Sequence, residues 1–397
     1  MKKVLVVSEF IDPDQNSTGY FWYKIIQKLA QSDGVEQLSV IAPYSGDREE
    51  IQKKFCSNIG FLLFLHASYD KNNLLKRLLG QVQQTFGFLK ILLKNLAKDK
   101  VVVSGTNPLF LLVLLAFLKI FIPFKWYLLV HDVFPENLVP AGILKKNSVL
   151  FKIMNFIFNR IYSRADHLIV IGRDMKNLMR QKTGSDNITV IPNWVDFTEI
   201  EVKQKQQSSI ISLLDWNENI VFQFFGNMGR VQGISNLLAA INLSKHPSAK
   251  FLFIGGGNDA RLVKEFAEDE NNKNKVAYIG ELAAQERSLG LSSCDIAIVT
   301  LAEGMLGLGV PSKAYFTMAA DRPILAVMEE DAEVANMVKE HNIGWVCQPN
   351  DPISLASLID EICENKLNIL SKSPRQILQD HYHQDKLLQN FADIVES

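Results

Sequence analysis

Three segments of the 397-residue sequence gather the residue types that can do chemistry. The run Trp126-Tyr-Leu-Leu-Val-His131-Asp132-Val-Phe-Pro135-Glu136 sets an imidazole and two carboxyls directly beyond an apolar stretch. In an α/β chain that is the carboxyl end of a buried strand, where polar groups are presented to a ligand, although a single histidine there could also merely close the strand. The run Val221-Phe-Gln-Phe-Phe-Gly226-Asn227-Met-Gly229-Arg230-Val-Gln-Gly233 reads as a buried strand, a glycine-spaced turn with one arginine, and a helix start. Such turns hold anions, because glycines let backbone N–H groups approach a phosphate and arginine can fork two of its oxygens. The alternative is a tight turn whose arginine is only solvated. The third run is Leu301-Ala-Glu303-Gly304-Met-Leu-Gly307-Leu308-Gly309-Val-Pro311-Ser312-Lys313. Its glycines predict backbone close to a ligand, Glu303 could accept from sugar hydroxyls, and Pro311 suits a helix start. Ser312 could cap that helix, and Lys313 adds a point charge for phosphate.

Other signals compete. Gly255-Gly256-Gly257-Asn258-Asp259-Ala260 follows a strand and formally fits a dinucleotide fingerprint, with Glu281 after the next strand, which would make the protein an NAD-linked enzyme. The pattern stands on the second strand-helix unit of its domain, whereas the pyrophosphate loop belongs on the first. Asp12-Pro13-Asp14 resembles a metal-binding pair but follows the first strand and reads as a turn. His381 and His383 point to different helix faces, so they are not expected to share a metal. The segment Asn16-Ser17-Thr18-Gly19 precedes a helix, and its backbone could line a cleft.

These groups need a scaffold, and the rest of the chain supplies an α/β one. Strands are expected at 3–8, 38–42, 101–104, 126–131 and 167–171, and again at 220–225, 250–254, 276–279, 296–299 and 323–327, alternating with helical patterns. Between them, around 197–217, Glu, Lys, Gln and Ser dominate and apolar periodicity fades, which predicts an interdomain linker. The expected division is a first domain over 1–197, with a C-terminal helix 380–397 packed back on it, and a second over 198–379. Apolar residues make up 47% of the chain, enough for two cores. The 42 Lys and Arg balance 43 Asp and Glu, so no global field grips a polyanion, and nucleic acid is not an expected partner. Four scattered cysteines, Cys56, Cys294, Cys347 and Cys363, suggest neither a zinc site nor a disulfide framework and fit a reducing, cytoplasmic compartment. The apolar stretch 108–124 is broken by Lys119 and Pro123 and is too short to span a bilayer. Leu74-Leu-Lys76-Arg77, Phe88-Leu-Lys90-Ile-Leu-Leu-Lys94 and Lys145-Lys146 through Arg160 mix basic residues with apolar ones at helical spacing, which fits peripheral binding to an anionic membrane surface.

Ile188-Thr-Val-Ile191-Pro192-Asn193-Trp-Val-Asp196, the Gly226 turn, the Gly255 segment and Met318-Ala-Ala-Asp-Arg-Pro323 follow one another as in the retaining glycosyltransferases of family 4, which the chain resembles nearly end to end. The resemblance implies a GT-B fold, two Rossmann-like domains facing a cleft. It implies a nucleotide-sugar donor, most expectedly UDP-linked, with no cofactor and no metal. The Pro311-Ser312-Lys313, Gly226-Asn227-Met-Gly229 and His131-to-Glu136 segments resemble a branch that makes bacterial surface polysaccharides such as O-antigen or capsule, moving N-acetylated amino sugars to lipid-linked saccharides. On this resemblance Arg230 and Lys313 hold the diphosphate; Ser312, Glu303 and Gly19 are expected on the donor from their places in the loops rather than from the family pattern. The backbone around Ile279, Glu281 and Leu282 meets the base, and Gly307, Leu308 and Gly309 face the sugar. His131 lies near the reacting centre, with Asp132 and Glu136 shaping its pocket. Two positions depart from the family pattern: Phe316 stands where a ribose-binding glutamate is usual, and Gln232 where a phosphate lysine is. An epimerase of the same shape, or a catalytically silent membrane-associated scaffold, are the other readings.

Overall fold

A computed structural model describes residues 1–45, 47–66, 74–365 and 372–397, except the side chains at 74–78, so Lys76 and Arg77 lie outside the described side chains. The chain forms two compact units, one from Met1–Phe134, Lys152–Ile191 and Asp385–Ser397, the other from Pro135–Phe151 and Pro192–Gln384.

The first unit is built on a seven-stranded parallel sheet: β1 (Lys2–Val7), β2 (Val35–Tyr44), β3 (Ile59–Leu65), β4 (Lys100–Gly105), β5 (Lys125–Val130), β6 (His167–Val170) and β7 (Ile188–Val190). Its order is β3-β2-β1-β4-β5-β6-β7, so the direction of strand addition reverses between β1 and β4. The central strands are apolar without alternation, as strands covered on both faces must be: Val4 to Val7, Val101 to Val103 and Trp126 to Val130 are all buried. The second unit repeats the plan with β8 (Ile220–Phe225), β9 (Ala249–Ile254), β10 (Val276–Tyr278), β11 (Ile296–Thr300), β12 (Ile324–Val327) and β13 (Gly344–Cys347), ordered β10-β9-β8-β11-β12-β13. Stacked pairs Phe222–Phe251 and Phe224–Phe253 fill its core between β8 and β9. Both sheets therefore have a topological switch point, β1/β4 in one and β8/β11 in the other, and doubly wound sheets bind ligands beyond the strand ends at that point.

The stretch read as a linker is folded. It carries 3-10 turns at Phe197–Glu199 and Lys205–Gln207 and a helix Ser209–Leu213, and it buries Ile211 and Trp216 against β8, β9 and β11. Lys205 reaches Asp295 at 2.6 Å, so a polar composition here marks an ion-paired surface rather than free chain. No helix among the described residues is long and apolar enough to cross a membrane.

Candidate active site

In the second unit the β8 strand ends in a turn that two other loops hold. Gly226 has φ of +132°, a region reserved for glycine, and its N–H donates to the Ile254 carbonyl at 2.9 Å. Met228 N–H donates to Gly256 O at 2.7 Å, and Asp259 N–H to Met228 O at 2.9 Å. A Cβ on Gly255 would stand 2.1 Å from the Gly226 carbonyl oxygen, and one on Gly257 would stand 2.4 Å from Asn227 Oδ1. These glycines are thus required by loop-on-loop packing. That removes the basis of the dinucleotide reading, since their small size serves the neighbouring turn and the Gly255 loop follows β9, away from the β8/β11 switch. Glu281 is likewise against this loop, where a Cβ on Gly256 would meet its Oε1 at 2.2 Å.

Beyond Gly229 the chain makes a 3-10 turn, Arg230–Gln232, and Gly233 at φ of +63° leads into the helix Ile234–Leu243. Arg230 is exposed, and its Nε and Nη2 donate to the Asn258 side-chain oxygen at 2.6 and 3.3 Å in the amide orientation that satisfies both groups. Across the switch point Ala302 N–H donates to Val231 O at 2.8 Å, tying the loop after β11 to the same turn. Lys313 opens the helix Lys313–Ala319. Its Nζ donates to Gln232 Oε1 at 2.6 Å and stands 3.8 Å from the centre of the Phe224 ring. Burial pushes the Lys313 amine down to about 7. Neither Arg230 nor Lys313 has a carboxylate within ion-pairing distance among the described residues.

The loop after β11 departs from expectation in three details. The Ser312 side chain makes no cap hydrogen bond; the helix start is closed instead by backbone bonds, Ala314 N–H to Pro311 O at 3.2 Å and Tyr315 N–H to Ser312 O at 3.0 Å. Gly304 and Gly307 are glycine because φ is +81° and +72°, and a Cβ at Gly304 would meet nothing within 4 Å, so conformation rather than close approach sets that residue. Gly307 and Leu308 are buried and Gly309 is partly exposed. Glu303 is exposed and accepts from Asn350 Nδ2 at 2.6 Å. Ile279 is partly exposed, with its N–H on Phe253 O at 3.1 Å, and Leu282 packs under Gly290 beside Phe225. Phe316 carries the Arg287 guanidinium 5.2 Å above its ring.

In the first unit β5 delivers His131 to the strand end. The His131 and Asp132 N–H groups both donate to the Thr106 hydroxyl at 3.3 Å, which fastens this turn to the end of β4. The imidazole stacks on Phe21, centroids 6.2 Å apart at 29°. Burial lowers His131 to about 4, so the ring is neutral at ordinary pH. Burial raises Asp132, while the Asn107 amide 3.5 Å away opposes that rise. Glu136 begins the 3-10 turn Glu136–Leu138, which belongs to the second unit. Gly19 lies in the first turn of the helix Ser17–Ala30, where Asn16 caps its N–H at 2.9 Å and a Cβ would stand 2.1 Å from the Asp12 carbonyl oxygen. Asp12 and Asp14 both bind the Lys54 amine, at 2.7 and 2.8 Å, which is why that D-x-D pair sits in a turn. His381 lies tilted against His341, centroids 4.5 Å apart, and His383 meets Phe197 edge-on at 5.6 Å.

Sequence reasoning missed Thr106, Asn107 and Asn258, which orient the groups it named. Thr106 and Asn107 follow β4 at the switch point, and that position was the available signal.

Comparison with known proteins agrees with this geometry. Residues 21–199 match the model for Glycosyltransferase Family 4, and residues 206–393 match that for Glycosyl transferases group 1. A Pseudomonas aeruginosa protein named "Probable glycosyltransferase WbjE" is 46% identical over 396 residues, covering 100% of this chain and 98% of its own. The chain belongs to the glycosyltransferases. Among solved structures, Anabaena HepE in complex with UDP-glucose superposes with a TM-score of 0.72 at 15% identity, over 100% of this chain and 99% of HepE. The lipopolysaccharide outer core galactosyltransferase WaaB superposes at 0.65 with 13% identity, over 100% of both chains. The glycosyltransferase fold is therefore GT-B, two Rossmann-like parallel-sheet units, as the sequence pattern led one to expect.

Proposed function

We propose that this glycosyltransferase moves an N-acetylated amino sugar from a UDP-linked donor to a lipid-linked saccharide, with retention of configuration and without a metal. The observation that carries the reading is the pair of cations at the β8/β11 switch point, Arg230 and Lys313, each held by a neutral amide and neither matched by a carboxylate. A diphosphate is the anion such a pair lacks. In the proposed reaction the bond from the anomeric carbon to the diphosphate oxygen breaks as the acceptor oxygen bonds to the same face. The acceptor's proton passes to the departing diphosphate, and UDP leaves. Arg230 and Lys313 stabilise its growing charge, which makes catalysis mainly electrostatic. HepE binds UDP-glucose in a fold of the same kind, which supports uracil as the base. Neutral His131, with Asp132 and Glu136, is assigned to the sugar and its acceptor. A thermal-shift screen of UDP-, GDP- and dTDP-sugars and NAD tests the donor, since a ligand at about 100 times its Kd stabilises by about 2.7 kcal/mol. Stabilisation by NAD alone would overturn the reading. Phe316 in place of the expected glutamate is the one observation that favours a silent scaffold, and release of UDP from the stabilising sugar nucleotide decides against it.

The acceptor's lipid points to a membrane surface. The helix Leu74–Asn95 buries Gln84, Phe88 and Leu92 and turns Leu79, Val82, Phe86 and Leu93 outward in one stripe with Lys90 and Lys94. The helix Val149–Tyr162 does the same with Val149, Leu150, Ile153, Phe156 and Ile157, beside exposed Lys152 and Arg160. Apolar stripes facing water with cations at their edges suit an anionic bilayer, where each Lys or Arg contributes about 1 kcal/mol. Co-sedimentation should need phosphatidylglycerol vesicles, fall with salt, and weaken in a Lys90→Gln, Lys94→Gln, Lys152→Gln variant. Equal sedimentation with phosphatidylcholine vesicles would reject this surface.

A further inference from the structure

Gln232 departs from the family pattern, in which its position is usually a lysine, and its side chain is the partner of the Lys313 amine. Its own backbone is fixed twice: its N–H donates to Gly229 O at 3.0 Å, and its carbonyl accepts from the buried Thr300 hydroxyl at the end of β11. The side chain therefore leaves a rigid base, and its Oε1 meets Lys313 Nζ at 2.6 Å. On the other side the amine rests on the Phe224 ring, and the Gly226 turn passes over it, so that a Cβ on Gly226 would stand 3.7 Å from Lys313 Cε and 3.9 Å from Nζ. The charged groups on the neighbouring elements are engaged elsewhere. Arg230, on the same 3-10 turn as Gln232, is on Asn258, and Glu303, on the loop after β11, is on Asn350. The amine is thus oriented by a dipole, where a carboxylate would have neutralised it.

We propose that Gln232 is a positioning residue: it fixes the Lys313 amine beneath the Gly226 turn without giving it a permanent counter-ion, so that an incoming diphosphate is the anion that completes its charge. The second half of this proposal rests on the nucleotide-sugar reading; the first does not. A group desolvated in this way is only partly protonated at neutral pH, and the diphosphate recruits the proton as it binds. A lysine at position 232 would place two ammonium groups where one amide-ammonium bond now stands.

The first test needs no ligand. Trace acetylation with acetic anhydride, read by mass spectrometry as a function of pH, gives the titration midpoint of Lys313 in the intact protein. Gln232→Glu should raise that midpoint by at least about one unit, because a carboxylate favours the ammonium, and Gln232→Leu should move it without the same rise. Gln232→Asn, which withdraws the acceptor without adding charge, should behave like the leucine variant and serves if either of the others does not fold. An unchanged midpoint in every folded variant would overturn the positioning role. The second test is UDP-glucose affinity, chosen because its diphosphate has no group that titrates near neutrality. In the unaltered protein affinity should fall about thirtyfold from about pH 6 to about pH 8.5, and in Gln232→Glu by about fourfold or less. A shifted midpoint with affinity independent of pH would leave Gln232 as the holder of Lys313 and overturn its link to the diphosphate. Failure of the unaltered protein to bind UDP-glucose, with the midpoint shifted, sends the same titration to UDP-N-acetylglucosamine, and failure with both would count against the donor reading alone.

Discussion

The two strand ends that hold the candidate residues are built from opposite materials. At the end of β5 the side chains are neutral or pushed toward neutrality: His131 is lowered to about 4, Asp132 is raised, and their neighbours are a hydroxyl and an amide. At the β8/β11 switch point the exposed Arg230 and the partly buried Lys313 are basic groups oriented by amides. The topology of the two sheets is the same through their first six strands, with β8 and β11 corresponding to β1 and β4 and β12 to β5, so the two chemistries stand at different strand ends of one plan. A neutral polar end suits hydroxyls and ring oxygens, which carry no charge to match; a cationic end suits phosphate. One architecture has been given two chemistries by a few residues per loop.

The comparison breaks most readily at His131. If the neutral end serves turnover, His131→Ala should lower kcat by about 10²–10⁴-fold while the melting temperature stays close to that of the parent. The pH profile of kcat in the parent should lack a limb near the ordinary histidine value, because the ring stays neutral down to about 4. A variant that unfolds, or that turns over normally, would show that the imidazole serves packing against Phe21 instead.

Arg230→Ala and Lys313→Ala test the other end, with a smaller effect. Losing one charge-assisted contact to a diphosphate costs about 1.5–3 kcal/mol, or roughly 10- to 150-fold in affinity. Isothermal titration with UDP-sugar should register this in each variant, and His131→Ala should leave affinity nearly intact. Equal losses in all three would erase the division of labour between the two ends.

How much of this was legible beforehand depended on burial. The central strands announced themselves as continuous apolar runs, and β8 was read to the residue. The three strands that escaped notice, β3, β7 and β13, are all edges of their sheets. β3 is interrupted by Gly60 and has an exposed Leu65, while β7 has three residues and β13 four, too few to show a period. The turn after β8 was readable because glycine spacing is a backbone signal. The partnership of Gln232 with Lys313 was not, because 81 residues separate them and only the β8/β11 adjacency brings them together. The glycines at 255 and 257 misled for a related reason: a contact between two loops looks, in one dimension, like a contact with a ligand.

The finest distinction between the two ends is in how each ties stability to pH. His131 binds its proton at about 4 in the folded protein and near 6.5 when unfolded, so between those values the unfolded chain holds more protons. Its effect is a loss of stability as pH falls from about 6.5 to about 4, and none above. Lys313 titrates at about 7 folded and near 10.5 unfolded, so its effect is a gain as pH rises from about 7 to about 10. One proton contributes at most about 1.4 kcal/mol per pH unit, and solvent reaching either half-buried group makes the real slope shallower. Other groups titrate in both windows, and the raised Asp132 opposes His131 on the acid side, so the quantity to measure is parent minus variant. The melting temperature of the parent should fall below that of His131→Ala as pH drops below 6, and those of the parent and Lys313→Met should diverge in the parent's favour as pH rises above 7. Differences of a few degrees are expected, since about 1 kcal/mol moves the melting point of a unit this size by about 2–4 °C. Parallel curves at either end would mean that the group there is solvated, and the contrast between a neutral and a cationic strand end would have to be withdrawn.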